Sequence, residues 1–249
     1  MINPPKNWFD QGGQNYAQYR PEYPVELAKL LTGLAPDMDL AVDVGCGTGQ
    51  FTALLAPHFK QVLGVDPSQS QITHATPVAN VTYICAPAER VPVDDCSASL
   101  ITAAQAAHWF RLPAFYDEVR RIAKPGALLA LITYGVLTLE PALNERFQRF
   151  YTEEIGPYWP PERALVDTGY ATLLFPFNEL QGPTLHIQHN WTLPQFLGYV
   201  STWSAIRAAR EHLGDAILNT FSIDMAKAWG DPSTARLVRW PIHLRVGTL

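Results

Sequence analysis

Two short segments invite a chemical reading first: Asp43-Val44-Gly45-Cys46-Gly47-Thr48-Gly49-Gln50 and Gly64-Val65-Asp66. Three glycines at alternate positions, set between an apolar run and a helical pattern, let the backbone adopt positive φ. They also let it approach a bound molecule that a Cβ would hold off. Asp66 closes the next apolar run, where a carboxylate can accept hydrogen bonds from both hydroxyls of a ribose. The plain structural reading of the glycines is a tight turn between strand and helix. With the acid in register, the pair predicts a nucleoside site at the carboxyl edge of a parallel sheet.

The spacing narrows the choice of nucleoside. Gln50 stands where a dinucleotide loop has its last glycine, and no Gly-x-x-x-x-Gly-Lys-Ser/Thr run is present to cradle phosphates. A loop of Asp-x-Gly-x-Gly-x-Gly form suits a ligand without a pyrophosphate, such as the amino-acid tail of S-adenosylmethionine (SAM).

His108 and Trp109 follow the fourth apolar run, at the same predicted edge. Their structural role would be to pack the next helix; their functional role would be to face a substrate, with His108 taking a proton from a hydroxyl acceptor. Tyr16, Tyr19 and Arg20 form either a docked N-terminal segment or a strap over the cofactor, with Arg20 near a carboxylate. Trp203 shares one face of a predicted helix with Arg210 and another with Arg207. Tryptophans so placed are mostly core anchors and arginines mostly solvated; holding an anionic substrate is the competing role. His186 and His189 lack metal-ligand spacing, and no metal is expected.

These residues need a scaffold. Short apolar runs bounded by Gly, Pro or Asp predict buried strands over Leu40–Val44, Gln61–Asp66, Val81–Cys85, 100–104 and 127–134. Helical patterns fill 48–57, 68–75 and 112–123; the last places Phe115, Val119 and Ile122 on one face and ends at Lys124-Pro125-Gly126. In the second half, 140–155 and 162–169 read as helices, 186–191 and 237–246 as strands, and 194–229 as largely helical. Pro241 suggests a bulge or an edge within the last strand. The expected architecture is an α/β, Rossmann-like, mostly parallel seven-stranded sheet, with helices on both faces and a helical insertion before the last strand. A single domain spans 1–249, with an N-terminal strap and helix over 1–38, a cofactor-binding core over 39–135, and an insertion over 192–235 capping the substrate pocket.

Over residues 41–133 the chain resembles the class I SAM-dependent methyltransferases. The marks are the loop at 43–49, GVDPS at 64–68, APAERVP at 86–92, ITAAQAAHWF at 101–110 and RIAKPGALLA at 121–130. The small-molecule branch is the most similar, including the ubiquinone- and trans-aconitate-methyltransferase-like enzymes. The resemblance implies the methionine tail of SAM over Gly45, Gly47 and Gly49, with Asp43 supporting the loop or the amino group. It implies the ribose on Asp66, the adenine beside Ala88 and Glu89, and Gln105 near the reactive end. Pro87 stands where many relatives carry an aspartate, so a carboxylate to the adenine amine is missing there. Tyr19 and Arg20 are expected at the cofactor, and Trp109, Tyr134 and Trp203 in an aromatic-walled substrate pocket.

The implied activity is transfer of the SAM methyl to a small-molecule acceptor, a carboxylate or a hydroxyl, leaving S-adenosylhomocysteine. Holding a nucleophile in line with the S–CH₃ bond supplies on the order of 7–11 kcal/mol, so no conspicuous catalytic group is required. A competing enzyme class is an NAD-dependent oxidoreductase, which Gln50 discourages; a further alternative is a non-catalytic SAM-binding module.

Composition sets the outer bounds. A chain of 249 residues that is 47% hydrophobic and 16% charged is not a disordered segment. Eighteen Lys and Arg against 23 Asp and Glu leave a net charge of −5, without the footprint of a protein that grips nucleic acid. Cys46, Cys85 and Cys96 form no C-x-x-C pair, which argues against disulfides and thiolate metal sites. The apolar stretch at 127–137 falls short of the ~20 residues a membrane helix needs, and the N-terminus lacks the apolar core of a signal peptide. A cytoplasmic protein is expected.

Overall fold

The computed structural model describes residues 21–249. Tyr16, Tyr19 and Arg20 lie outside the described residues. The chain enters through helix α1 (Val25–Leu34) and then alternates strand and helix. In order these are β1 (Leu40–Val44), α2 (Gln50–Leu55), β2 (Gln61–Asp66), α3 (Gln69–Thr73), β3 (Val81–Cys85) and β4 (Ala98–Ala104). A 3₁₀ turn (Ala107–Trp109), α4 (Leu112–Ile122) and β5 (Ala123–Tyr134) complete the first half.

Strands β3, β2, β1, β4 and β5 lie side by side in that order, all parallel. The strand β1 therefore sits at the switch point, with β2 on one side and β4 on the other, and the ends of all three meet at one edge. Strands β1, β2, β4 and β5 bury both faces, whereas β3, expected to be buried, is the outer strand and stays half exposed. Ala41 and Leu100 enter one core layer with α1, α2 and the late helices, while Val42, Val44 and Ile101 enter the other with Phe115, Val119 and Ile122 of α4. That is why they read as continuous apolar runs rather than alternating ones. Each large side chain so buried contributes about 1.5–3 kcal/mol.

The second half contains α5 (Pro141–Arg149), which continues as a π turn (Phe150–Glu154), then a 3₁₀ turn (Gly156–Tyr158) and α6 (Arg163–Asp167). It goes on through β6 (Asn178–Leu180), β7 (Leu185–Trp191), α7 (Leu193–Ser201), α8 (Ser204–Leu213), α9 (Ala216–Trp229) and β8 (Arg236–Thr248). Strand β8 runs antiparallel to β5 on one side and to β7 and β6 on the other. The sheet thus has eight strands rather than the seven expected. The addition is β6, whose Asn-Glu-Leu carries no apolar run and is a strand only through its pairing with 246–248.

Pro241 is likewise not at an edge. It faces His186 of β7, and its carbonyl accepts from the Gly135 N–H at 2.9 Å. Thr138 and Arg239 then exchange both backbone bonds, at 2.7 and 3.1 Å. The missing proline N–H falls in the gap where the chain leaves β5 and before Thr138 rejoins, so the ladder tolerates it. Between β7 and β8, helices α7–α9 pack around Phe196, Phe221, Met225 and Trp229, all fully buried, and Phe150 stacks on Phe221 at 3.8 Å.

Candidate active site

The loop after β1 is tied to the end of β2: the Gly45 and Cys46 N–H groups both donate to the Val65 carbonyl, at 2.7 and 3.0 Å. Gly45, Gly47 and Gly49 have φ of +73°, +55° and +85°. At Gly45 a Cβ would collide with Ala106, and at Gly49 it would come within 2.7 Å of the Tyr83 ring. Gly47 differs, because among the described residues a Cβ there would meet only the Gln71 Oε1, at 3.8 Å, and its outer side is open.

Asp66 faces that opening. Its Oδ2 accepts from the Gly47 N–H at 2.9 Å and its Oδ1 from the Ser68 N–H at 2.8 Å. Each carboxylate oxygen retains a lone pair for a further donor. Burial raises the Asp66 pKa, and the two backbone donors work against the rise. Asp43 has a different part. It is buried, and its oxygens accept from the hydroxyls of Thr52 on α2 and Thr102 on β4, each at 2.7 Å. Burial pushes its pKa up to about 6 despite those two bonds. Asp43 therefore anchors the loop to its neighbours. An open glycine, a carboxylate with spare acceptors and a backbone preset in positive φ fit a ribose-bearing ligand.

Across the edge, Gln105 ends β4 with φ of +53°, a conformation that a non-glycine residue holds only when its surroundings impose it. Here they do: its N–H donates to Ile132, its Nε2 donates to the Tyr134 carbonyl at 3.3 Å, and its Oε1 accepts from the Thr133 hydroxyl. His108, in the 3₁₀ turn, places Nδ1 2.8 Å from the Tyr170 hydroxyl. Burial, aided by the charge of Arg163, lowers its pKa to about 3, so the ring is neutral. Tyr170 is fully buried and holds φ of +62°; burial pushes its phenol up, keeping it protonated. Trp109 lies beside His108, with ring centres 4.9 Å apart, and is 39% exposed.

Helix α6 packs against this turn and brings Arg163 toward His108. The Arg163 Nε donates to the Tyr151 hydroxyl at 2.8 Å and to Asp167 Oδ1 at 2.9 Å. Its guanidinium lies over the rings of Trp159, at 4.8 Å, and Tyr151, at 5.6 Å. Burial opposes the charge, but the oxygens of Tyr151, Asp167 and Tyr199 outweigh it and keep the group ionised. Trp203 is buried against Phe147, Tyr151, Trp159 and Tyr199, with ring centres 5.5–6.1 Å away. Tyr134, also buried, meets Tyr23 edge-on.

The other expected residues lie apart from this cluster. Ala88 is buried, while Glu89 turns to the start of α4, where its Oε1 accepts from the Arg111 N–H at 3.2 Å and pairs with that side chain's Nε at 3.4 Å. Arg210, read as a possible anion holder, pairs with Asp215 at 2.7 Å. Among the described residues, no three His, Cys, Asp or Glu side chains converge as metal ligands would, and no helix is long and apolar enough to cross a membrane.

Residues 42–131 match the family model described as a methyltransferase domain. A Dictyostelium discoideum protein named as a methyltransferase is 35% identical over 204 residues, which is 80% of this chain and 78% of that one. The chain belongs to the class I SAM-dependent methyltransferases. A solved structure described as a type II methyltransferase, from Anaeromyxobacter dehalogenans, superposes on this methyltransferase with a TM-score of 0.88 at 42% identity, over 92% of this chain and 98% of that one. The malonyl-acyl-carrier-protein O-methyltransferase of a Marinomonas species is 32% identical over 174 residues, 67% of this methyltransferase and 64% of its own length.

Neither Arg163 nor Tyr170 stands out in the methyltransferase's sequence, because each meets His108 only through the fold. One signal was available. The run Tyr158-Trp159-Pro160-Pro161 stiffens the chain just before Arg163, and a solvated surface helix has no need of two aromatic rings held by prolines.

Proposed function

We propose that the enzyme transfers the methyl group of SAM to an oxygen of a small-molecule acceptor, a carboxylate or a hydroxyl, in the crevice where β1 and β4 diverge. The observation that carries this is the open face of Gly47 beside Asp66, with Gln105 and His108 on the far side of the same edge. In this reading Gly45, Gly47 and Gly49 offer backbone to the methionine tail, Asp43 holds the loop, and the spare lone pairs of Asp66 receive the ribose hydroxyls. Ala88 gives apolar contact to the adenine, and Glu89, whose Oε2 is not engaged by Arg111, accepts from the adenine amine. Tyr19 and Arg20 contribute to cofactor binding in this reading, and Gln105 lies near the reactive end.

When bound, SAM supplies a methyl already activated by its sulfonium. The chain's own residues orient the acceptor and exclude water. Trp109, Tyr134 and Trp203 wall the acceptor side, and His108 touches the acceptor as a neutral ring. The chain acts as one unit, residues 39–135 being its cofactor core and the helices within 192–235 its cap. The ring packing of Trp203 onto Tyr151 and Trp159, and of Tyr199 onto Trp203 and Trp191, supports that cap.

Incubation with methyl-tritiated SAM and a panel of acids, phenols and quinols should give a methylated product and S-adenosylhomocysteine. SAM that binds yet is never consumed across the panel would instead make this a non-catalytic binding module.

A further inference from the structure

Arg163 is an unusual arginine. Its Nε is held by Tyr151 and Asp167, but its two terminal nitrogens have no partner among the described residues. The guanidinium is packed over two aromatic rings, yet 20% of the side chain stays accessible. The terminal nitrogens therefore remain within reach of a ligand. An enclosed cation whose terminal nitrogens are left unpaired is costly unless something arrives to pair it, and an anionic oxygen does so. Arginine's fork is moreover the side chain best matched to a carboxylate.

Working from the function proposed above, we infer that the methyl acceptor is a small organic acid whose carboxylate is held by the free end of Arg163. The chemistry of the pocket agrees. His108, on the 3₁₀ turn that the Arg163 helix packs against, is a buried neutral ring and a poor base for a hydroxyl. A carboxylate needs no base. One of its oxygens forms the new O–CH₃ bond as the S–CH₃ bond of SAM breaks, and that bond's electron pair stays on sulfur. The products are a methyl ester and S-adenosylhomocysteine, and no proton is released.

The test uses the full chain with SAM and a panel of aliphatic and aromatic monocarboxylic and dicarboxylic acids, each beside its primary amide and alcohol. Acids should be turned over to base-labile esters without acidifying a weakly buffered assay, and amides and alcohols should not. For the best acid, Arg163→Gln should raise KM roughly 30-fold or more, with Arg163→Lys recovering part of the loss. The Kd for SAM, measured by calorimetry, should stay within about twofold in both variants, because Arg163 lies outside the glycine loop. Arg163→Lys keeps the charge beside Asp167, which guards against a loss that merely reports unfolding. Trp159→Phe, which narrows the aromatic face under the guanidinium, should raise KM for acids by a smaller factor.

If SAM binds but amides or alcohols are methylated as well as acids, or no acid of the panel reacts, the assignment of Arg163 is overturned. An unchanged KM in Arg163→Gln does the same. Failure of the wild-type chain to bind SAM would instead remove the function on which the inference rests.

Discussion

Gly49 has the least freedom of any residue in the site. Its φ of +85° is strained for any other residue, and the Tyr83 ring occupies the space a Cβ would need. Gly49→Ala should therefore cost about 1–3 kcal/mol in urea unfolding and weaken SAM at least about tenfold. Tyr83 itself is packed so tightly there that its hydroxyl is buried without a partner among the described residues, and burial pushes its pKa up to about 12. His108 gives a prediction in pH. Burial holds it far below the usual histidine range, at about 3, so protonation favours the unfolded chain. The stability it contributes is complete above pH ~6.5, the unfolded value, and is lost as pH falls toward the folded one. Comparing wild type with His108→Asn, the wild type should lose about 1.4 kcal/mol more between pH 7.5 and pH 5.5. An equal loss in both proteins would mean that the ring is not buried as described.

Among the elements, the joint between α5 and α9 is the most exposed to a single change. Arg146 donates from Nε to Asp224 at 3.0 Å and from Nη2 to Glu154 at 3.2 Å, and its guanidinium lies 5.1 Å from the centre of the Phe221 ring. Arg146→Ala should cost about 3 kcal/mol or more in a chemical melt, because it strands two partly buried carboxylates. A loss no larger than that of an exposed-site substitution would show the network to be idle. Most of this architecture is legible in the sequence for one physical reason. A strand buried on both faces needs an apolar residue at nearly every position, and 40–44 and 61–66 show it, whereas 81–85 reads the same way although it is the half-exposed outer strand. Strand β6 is not legible, since Asn178 and Glu179 are exposed and only pairing with β8 makes them a strand. Local signals also show the glycine loop and Asp66, because strand, turn and acid are near in sequence. Arg163 and Tyr170 escape such reading: the π turn at Phe150–Glu154 and the positive-φ pair Gly169-Tyr170 steer them to His108, and neither bend has a sequence signature.

For the whole molecule, the carboxyl ends of β1, β2 and β4 form one edge, and everything proposed depends on that edge receiving SAM. Because a ligand that binds only the folded state stabilises it, SAM at about a hundred times its Kd should add about 2.7 kcal/mol to unfolding. Stability under denaturant should rise with SAM concentration but not with NAD, whose pyrophosphate has no seat where Gln50 replaces glycine. The most direct measurement is calorimetric titration of SAM into the wild-type chain and into Asp66→Ala. One site per chain is predicted, weakened at least about a hundredfold in the variant by loss of two charge-assisted bonds to the ribose. No heat of binding in the wild type, or the same affinity in both proteins, would contradict the account.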